Sequence, residues 1–119
     1  MNQNQKIKSD LVHLFKVLDY FNLNDLTANH ASLISSNNKG FFINQHKHFF
    51  SQVKSGSLVY VDLDEKFSRK YSNVNKAGFQ IHRFIHNSKF KPKAILHTHS
   101  VNSVAISCLK EGFPCSVNC

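Results

Sequence analysis

The sequence is poor in several features, and each shortage excludes a class of protein. Its 119 residues contain two Pro, four Gly and no Trp, with neither an internal repeat nor a low-complexity segment. No apolar run approaches the roughly 20 residues that a membrane-spanning helix needs. The first residues also lack the apolar core of a signal peptide. We therefore expect no membrane association and a cytoplasmic location.

Acidic residues are scarce as well, and the resulting charge raises the question of a nucleic-acid partner. Seven Asp and Glu oppose fifteen Lys and Arg, which gives a formal net charge of +8 and a pI near 9.6. A basic domain can bind nucleic acid through a clustered patch. Here the basic residues are spread along the chain, and only Lys89–Lys93 is a local cluster. We therefore expect a solvated, Lys- and Asn-rich surface and no nucleic-acid partner.

Cysteine is limited to three residues near the end of the chain. Cys108, Cys115 and Cys119 are an odd number and show no CxxC spacing. Without a secretory signal, this usage predicts reduced thiols and no disulfide framework.

What the sequence does contain is an alternation of helix and strand patterns that fits a single domain of residues 1–119. The apolar fraction is 41% and the charged fraction 18%, as in ordinary globular proteins. Apolar periodicity and β-branched or aromatic runs predict these elements in order: helix 7–21, strands 31–34, 41–43 and 58–63, helix 75–87, strand 94–96 and helix 101–109. The chain stops where a further strand is predicted to begin, so the sheet is expected to be incomplete.

The chemistry is concentrated in His97-Thr98-His99, directly after the apolar run Ala94–Leu96. We predict that this run is a buried strand. Residues two apart on a strand share a face, so both imidazoles could bind one metal ion. Ser100 is placed to cap the helix that follows. The residues alone leave a second interpretation open, in which both histidines are core-edge side chains bonded to backbone.

Four more histidines are paired by spacing, but neither pair predicts a metal site. His82 and His86 share one face of a predicted helix. No acidic residue lies between them as in His-Glu-x-x-His motifs, so we expect packing between helix and sheet. His46 and His48 lie in a polar segment that predicts a surface loop.

Four stretches together resemble the class II aldolase and adducin head-domain family. They are Asn29-His30-Ala31-Ser32, Phe42-Ile43-Asn44, Leu58–Asp64, and Gly78–His82 leading into His97–Ser100. Their order and spacing match the family over nearly the whole chain. The resemblance implies an α/β/α layered domain with a largely antiparallel central sheet, C-terminally truncated here. It also implies homo-oligomers with sites at subunit interfaces.

The resemblance further implies a metal site and a substrate. In the family's enzymes three histidines hold a divalent metal, usually zinc, which polarises a carbonyl while a carbon–carbon bond of a sugar phosphate forms or breaks. His97 and His99 match the first two ligands, whereas the family's third histidine would lie beyond Cys119. A third ligand from His82, a neighbouring chain or water would complete the set. Asn29 and Ser32 are expected to line the substrate pocket.

Gly78 stands where the family's enzymes carry an acid/base glutamate, a difference shared with the adducin-like branch. Glycine cannot transfer a proton, and general acid–base catalysis contributes ~10²–10⁴-fold in rate. We therefore assign no catalytic residue and predict that the chain alone is not an active aldolase. Two functions follow from the sequence: a metal-binding class II aldolase-like protein, or a non-enzymatic adducin-like interaction module.

Overall fold

The computed structural model describes residues 2–110, which form a four-stranded antiparallel sheet with helices packed on both faces. The elements are α1 (Gln3–Tyr20), β1 (His30–Ile34), β2 (Gly40–Ile43), β3 (Val59–Asp62), α2 (Lys76–His86), β4 (Ala94–His97) and α3 (Val101–Ser107). The strand order is β3-β2-β1-β4. This arrangement confirms the predicted α/β class and its largely antiparallel central sheet.

Helix α1 begins earlier than predicted because its first turn is capped. The Asn2 side chain accepts a hydrogen bond from the Gln5 N–H, and the Gln5 side chain accepts one from the Asn2 N–H. Such a capping box satisfies two backbone donors that the helix itself leaves unpaired. The apolar stripe of α1 is Leu11, Phe15 and Leu18, all buried against one face of the sheet.

A hairpin joins β1 to β2, and the side chains of β2 contribute to a hydrophobic core on each face of the sheet. Asn38 adopts a positive φ of 57° in the turn, a conformation that Asn tolerates. Side chains then alternate along β2, where Phe42 packs beside α1 and its neighbours Phe41 and Ile43 pack on the opposite face with Phe79 of α2. The two faces are therefore both covered, which produces the layered architecture.

Helix α2 is placed as the sequence predicts. The Asn75 side chain accepts a hydrogen bond from the Gly78 N–H and caps the helix. Phe79, His82 and His86 are buried, so both histidines of this helix do pack between helix and sheet.

The prediction that Ala94–Leu96 is a buried strand is wrong. β4 is an edge strand that pairs with β1, and its residues alternate between exposed and half-buried, with Leu96 47% exposed. Apolar composition predicted burial, but no described element covers the Leu96 side of the strand. Ser100 does occupy the N-cap of α3, yet its hydroxyl donates to Ser103 Oγ and not to a backbone partner.

Residues 111–119, which include Cys115, Cys119 and the strand predicted at this end of the chain, lie outside the described residues. Cys108 is a free and exposed thiol. Among residues 2–110, no helix is both long and apolar enough to cross a membrane.

Candidate metal centre

The predicted histidine pair converges in the structure. His97 is the last residue of β4, and His99 follows in the short connection to α3. Their Nε2 atoms lie 2.9 Å apart. Two imidazole nitrogens that share a tetrahedral zinc at about 2.0–2.1 Å would be roughly 3.3 Å apart, so the pair needs little movement to bind one.

A carboxylate orients the second histidine. His99 Nδ1 lies 3.2 Å from Oδ2 of Asp25, in the turn region between α1 and β1. Because a carboxylate only accepts hydrogen bonds, His99 donates from Nδ1–H to Asp25, and this contact turns its Nε2 toward His97. Metal-binding histidines are commonly oriented by such a carboxylate. Asp25 is 74 residues away in the sequence, and no sequence signal pointed to it.

The pair opens onto a cleft. Its volume is about 980 Å³, and it lies between the turn after α1 and helix α3, with Asp25, His97, His99 and Val104 among its lining residues. Burial, and secondarily the charge of His99, lowers the pKa of His97. The neutral imidazole is therefore favoured, and that is the form which binds metals.

His30 packs directly behind His97. The two residues are opposite each other in the β1–β4 ladder, and their rings stack with centroids 4.4 Å apart at 17°. His30 is buried, and its Nδ1 lies 2.7 Å from His82 Nε2. Burial lowers the pKa of His30 to about 4, helped by the charges of His97 and His99. The ring is therefore neutral near pH 7.

The His30 ring occupies the space next to Gly78. A Cβ at position 78 would lie 2.8 Å from His30 Cδ2 and 3.0 Å from its Nε2. That distance is below ordinary van der Waals contact, so any side chain at position 78 would displace the ring. Gly78 and the ring of His30 therefore fit each other.

His82 is not brought to the histidine pair. Its Nε2 faces His30 Nδ1, and its Nδ1 is bonded to Ser32 Oγ at 2.5 Å, so both ring nitrogens already have partners. Burial, followed by the charges of neighbouring histidines, lowers its pKa to about 3. Over residues 2–110, no group of three or more His, Cys, Asp or Glu side chains is arranged to hold a metal. Of the candidate ligands in the described residues, only His97 and His99 are therefore brought together.

The two residues predicted to bind substrate have different surroundings. Asn29 is 2% exposed, and neither Nδ2 nor Oδ1 of its amide has a hydrogen-bond partner within the described part of the chain. A buried, unpaired amide costs about 1–3 kcal/mol, which favours a ligand or a further protein group there. Ser32 is fully buried, and its hydroxyl is bonded to His82 and His86. Substrate contact by Ser32 stays a prediction, and its present bonds favour another role.

Fold and site together define an α/β/α domain with a histidine cluster at the edge of an antiparallel sheet. Residues 9–118 match the family described as Class II Aldolase and Adducin N-terminal domain. The chain belongs to this family, as its motifs predicted.

Relatives of two kinds are similar to it. A Caulobacter vibrioides protein named as a candidate aldolase class 2 protein is 33% identical over 105 residues, covering 87% of this chain and 41% of its own. Alpha-adducin of Rattus norvegicus is 29% identical over 110 residues, covering 89% of this chain and 15% of its own. The similarity therefore extends to aldolase-type proteins and to adducin alike.

Solved structures share the fold. An aldolase II superfamily protein from Pseudomonas syringae superposes with a TM-score of 0.81 at 26% identity, over 94% of this chain and 46% of that one. L-fuculose 1-phosphate aldolase from Glaciozyma antarctica superposes with a TM-score of 0.76 at 26% identity, over 87% of this chain and 44% of that one. The chain thus spans less than half the length of these relatives.

Proposed function

We propose that residues 1–119 form a class II aldolase-like domain that binds a divalent metal, zinc, through His97 and His99. The observation that carries the proposal is the convergence of the two Nε2 atoms at 2.9 Å, with Asp25 orienting His99. Imidazole nitrogens suit zinc well. The family relationship supports the same assignment, since its enzymes are typified by metal-dependent aldolases.

The remaining ligands would come from outside the described residues. His82 has no free ring nitrogen, so water or a side chain of a neighbouring copy would complete the coordination. A homo-oligomer that places the site at a subunit interface is therefore part of the proposal. When bound, the metal would polarise a substrate carbonyl.

The substrate class we propose is a sugar phosphate. The similarity to L-fuculose 1-phosphate aldolase supports this class. The Asn29 amide lacks hydrogen-bond partners in residues 2–110, but it is buried and does not line the cleft at the histidine pair, so substrate contact by Asn29 would require the cleft to extend to it. Ancestral chemistry would be aldol cleavage or condensation, but with glycine at position 78 we expect no turnover by this chain alone.

A second function is favoured by one specific observation. The His30 ring fills the space beside Gly78, so this chain has repacked the position where an acid/base side chain would project. A fold that is kept while its acid/base is lost fits a non-enzymatic interaction module of the adducin type. The similarity to alpha-adducin over 89% of the chain supports this alternative.

Metal content after purification tests the proposal. We expect about one zinc per site in the wild-type protein and loss of zinc in both His97→Ala and His99→Ala. His13→Ala is the matched control, because His13 is exposed on α1. Metal is measured by inductively coupled plasma mass spectrometry, and folding by circular dichroism. A folded wild-type protein that binds no zinc would contradict metal binding. The adducin-type interaction module would then be the remaining proposal.

A further inference from the structure

A continuous row of buried hydrogen bonds runs behind the histidine pair. It starts at the Pro92 carbonyl oxygen, 2.9 Å from His86 Nδ1, and continues from His86 Nε2 to Ser32 Oγ at 2.8 Å. It then passes from Ser32 Oγ to His82 Nδ1 at 2.5 Å and from His82 Nε2 to His30 Nδ1 at 2.7 Å. The four side chains are at most 3% exposed. We call this arrangement the buried polar row.

The chemistry at one end of the row determines the direction of every bond in it. The Pro92 carbonyl can only accept, so a neutral His86 carries its proton on Nδ1 and accepts from the Ser32 hydroxyl through Nε2. The Ser32 oxygen has then donated its one proton and accepts from His82 Nδ1–H. His82 Nε2 accepts in turn from His30 Nδ1–H. The row therefore leaves His30 as the Nδ1–H tautomer, with an unprotonated Nε2.

The row also holds the His30 ring in one orientation. Rotation of the ring about χ2 would break the bond to His82, and the opposite side of the ring is confined by Gly78. The ring's flat face lies on the His97 imidazole, with centroids 4.4 Å apart at 17°. His97 thus packs on the ring of His30. The orientation of that ring is set by the buried polar row, whose other members do not contact His97 or His99 through hydrogen bonds.

We infer that Ser32, His82 and His86 are positioning residues, which orient the metal ligand His97 through the ring of His30. This inference rests on the proposed function and deepens it. It also assigns a role to Ser32, whose hydroxyl has both of its partners inside the row.

Zinc affinity of matched serine variants tests the inference. Ser32→Ala removes the acceptor for His82 and the donor to His86, and we expect it to weaken zinc binding by ~10–100-fold, as loss of outer partners of metal ligands does. Ser35→Ala is the control, because Ser35 is equally buried, lies one residue after β1 and bonds to Gly40 O and N at the far end of the strand. We expect its affinity to stay within about 2-fold of wild type.

Isothermal titration calorimetry gives the affinities, and the visible spectrum of Co²⁺-substituted protein reports the ligand geometry. A changed Co²⁺ spectrum in Ser32→Ala but not in Ser35→Ala would support a positioning role. Equal losses in both variants, or wild-type affinity in Ser32→Ala, would overturn it.

Histidine tautomers provide a readout that needs neither a metal nor a variant. Long-range ¹H–¹⁵N spectra of the metal-free wild-type protein should show His86, His82 and His30 all as Nδ1–H tautomers. An Nε2–H tautomer at His30 would overturn the direction of the row, even where Ser32→Ala fails to fold. A wild-type protein that shows the expected tautomers but binds no zinc would instead contradict the proposed function.

Discussion

At the scale of single residues, the contact between His30 and Gly78 limits which side chains position 78 can hold. The imidazole takes the space in which a side chain at position 78 would project. It is held there by His82 on one side and by the stack on His97 on the other. A glutamate at position 78 would therefore require a change at position 30 as well.

Substitution of Gly78 tests this steric fit. Gly78→Ala gains about 1 kcal/mol of helix propensity, but crowding of the fixed His30 ring costs ~1–3 kcal/mol. We expect a net loss of stability in urea unfolding. In a His30→Ala background the crowding disappears, and Gly78→Ala should become neutral or stabilising. Additive effects of the two substitutions would show that the ring and the glycine are not coupled.

Asp25 provides a second prediction at the residue scale. Asp25→Ala removes the acceptor for His99 Nδ1–H and lets the ring turn away from His97. We expect zinc affinity, measured by calorimetric titration, to fall ~10–100-fold. Asp10→Ala, at an exposed site on α1, is the control and should bind as wild type does. Unchanged affinity in Asp25→Ala would mean that the carboxylate does not orient the ligand.

At the scale of elements, β4 and the connection that follows it carry the histidine pair at an edge of the described sheet. β4 pairs with β1 alone among the strands of residues 2–110, which leaves one row of backbone donors and acceptors unpaired. Leu96 on β4 is 47% exposed, and Val101 at the start of α3 and Leu109 after its end are 83% and 52% exposed. An unpaired edge next to exposed apolar side chains favours self-association.

A charge on this edge should reduce self-association. We expect sedimentation velocity of the wild-type protein to show concentration-dependent oligomers, and Leu96→Lys to shift the distribution toward monomer. Phe84→Lys is the control, since Phe84 is 78% exposed on the outer side of α2. Oligomers that persist in Leu96→Lys but dissociate in Phe84→Lys would place the contact on α2 instead.

At the scale of the whole molecule, the buried histidines make stability depend on pH. Burial lowers the pKa of His30 from 6.5 to about 4 and that of His82 to about 3. At pH values below 6.5 and above these lowered pKa values, both histidines are protonated in the unfolded chain and neutral in the folded chain. The free energy of unfolding should therefore fall as the pH is lowered through this window.

The expected slope is up to about 1.4 kcal/mol per pH unit for each histidine. Urea unfolding of metal-free protein at several pH values between 4 and 7 measures it. His82→Gln replaces one titrating ring by a neutral side chain and should reduce the slope by about one histidine's share. His13→Gln, at an exposed position, should leave it unchanged. An identical slope in His82→Gln and wild type would show that His82 does not stay neutral on folding.

The elements and the family could be predicted from the amino-acid sequence alone. Apolar patterns located α1, α2 and all four strands, although they did not give the buried side of every element, since Leu96 on β4 is 47% exposed and Phe84 on α2 is 78% exposed. The convergence of His97 and His99 was also predictable, since i, i+2 spacing at a strand end is a local property. Four motifs in order were enough to identify the class II aldolase and adducin family.

The surroundings of the two histidines depend on tertiary packing and could not be predicted from local sequence patterns. The partners Asp25 and His30 come from the region before and within β1, and a contact across 74 residues depends on how the layers pack. The exposure of β4 and the bonds of the Ser32 hydroxyl likewise follow from which elements lie alongside. Local spacing predicts which side chains share a face, whereas burial and hydrogen-bond partners are set by distant parts of the chain.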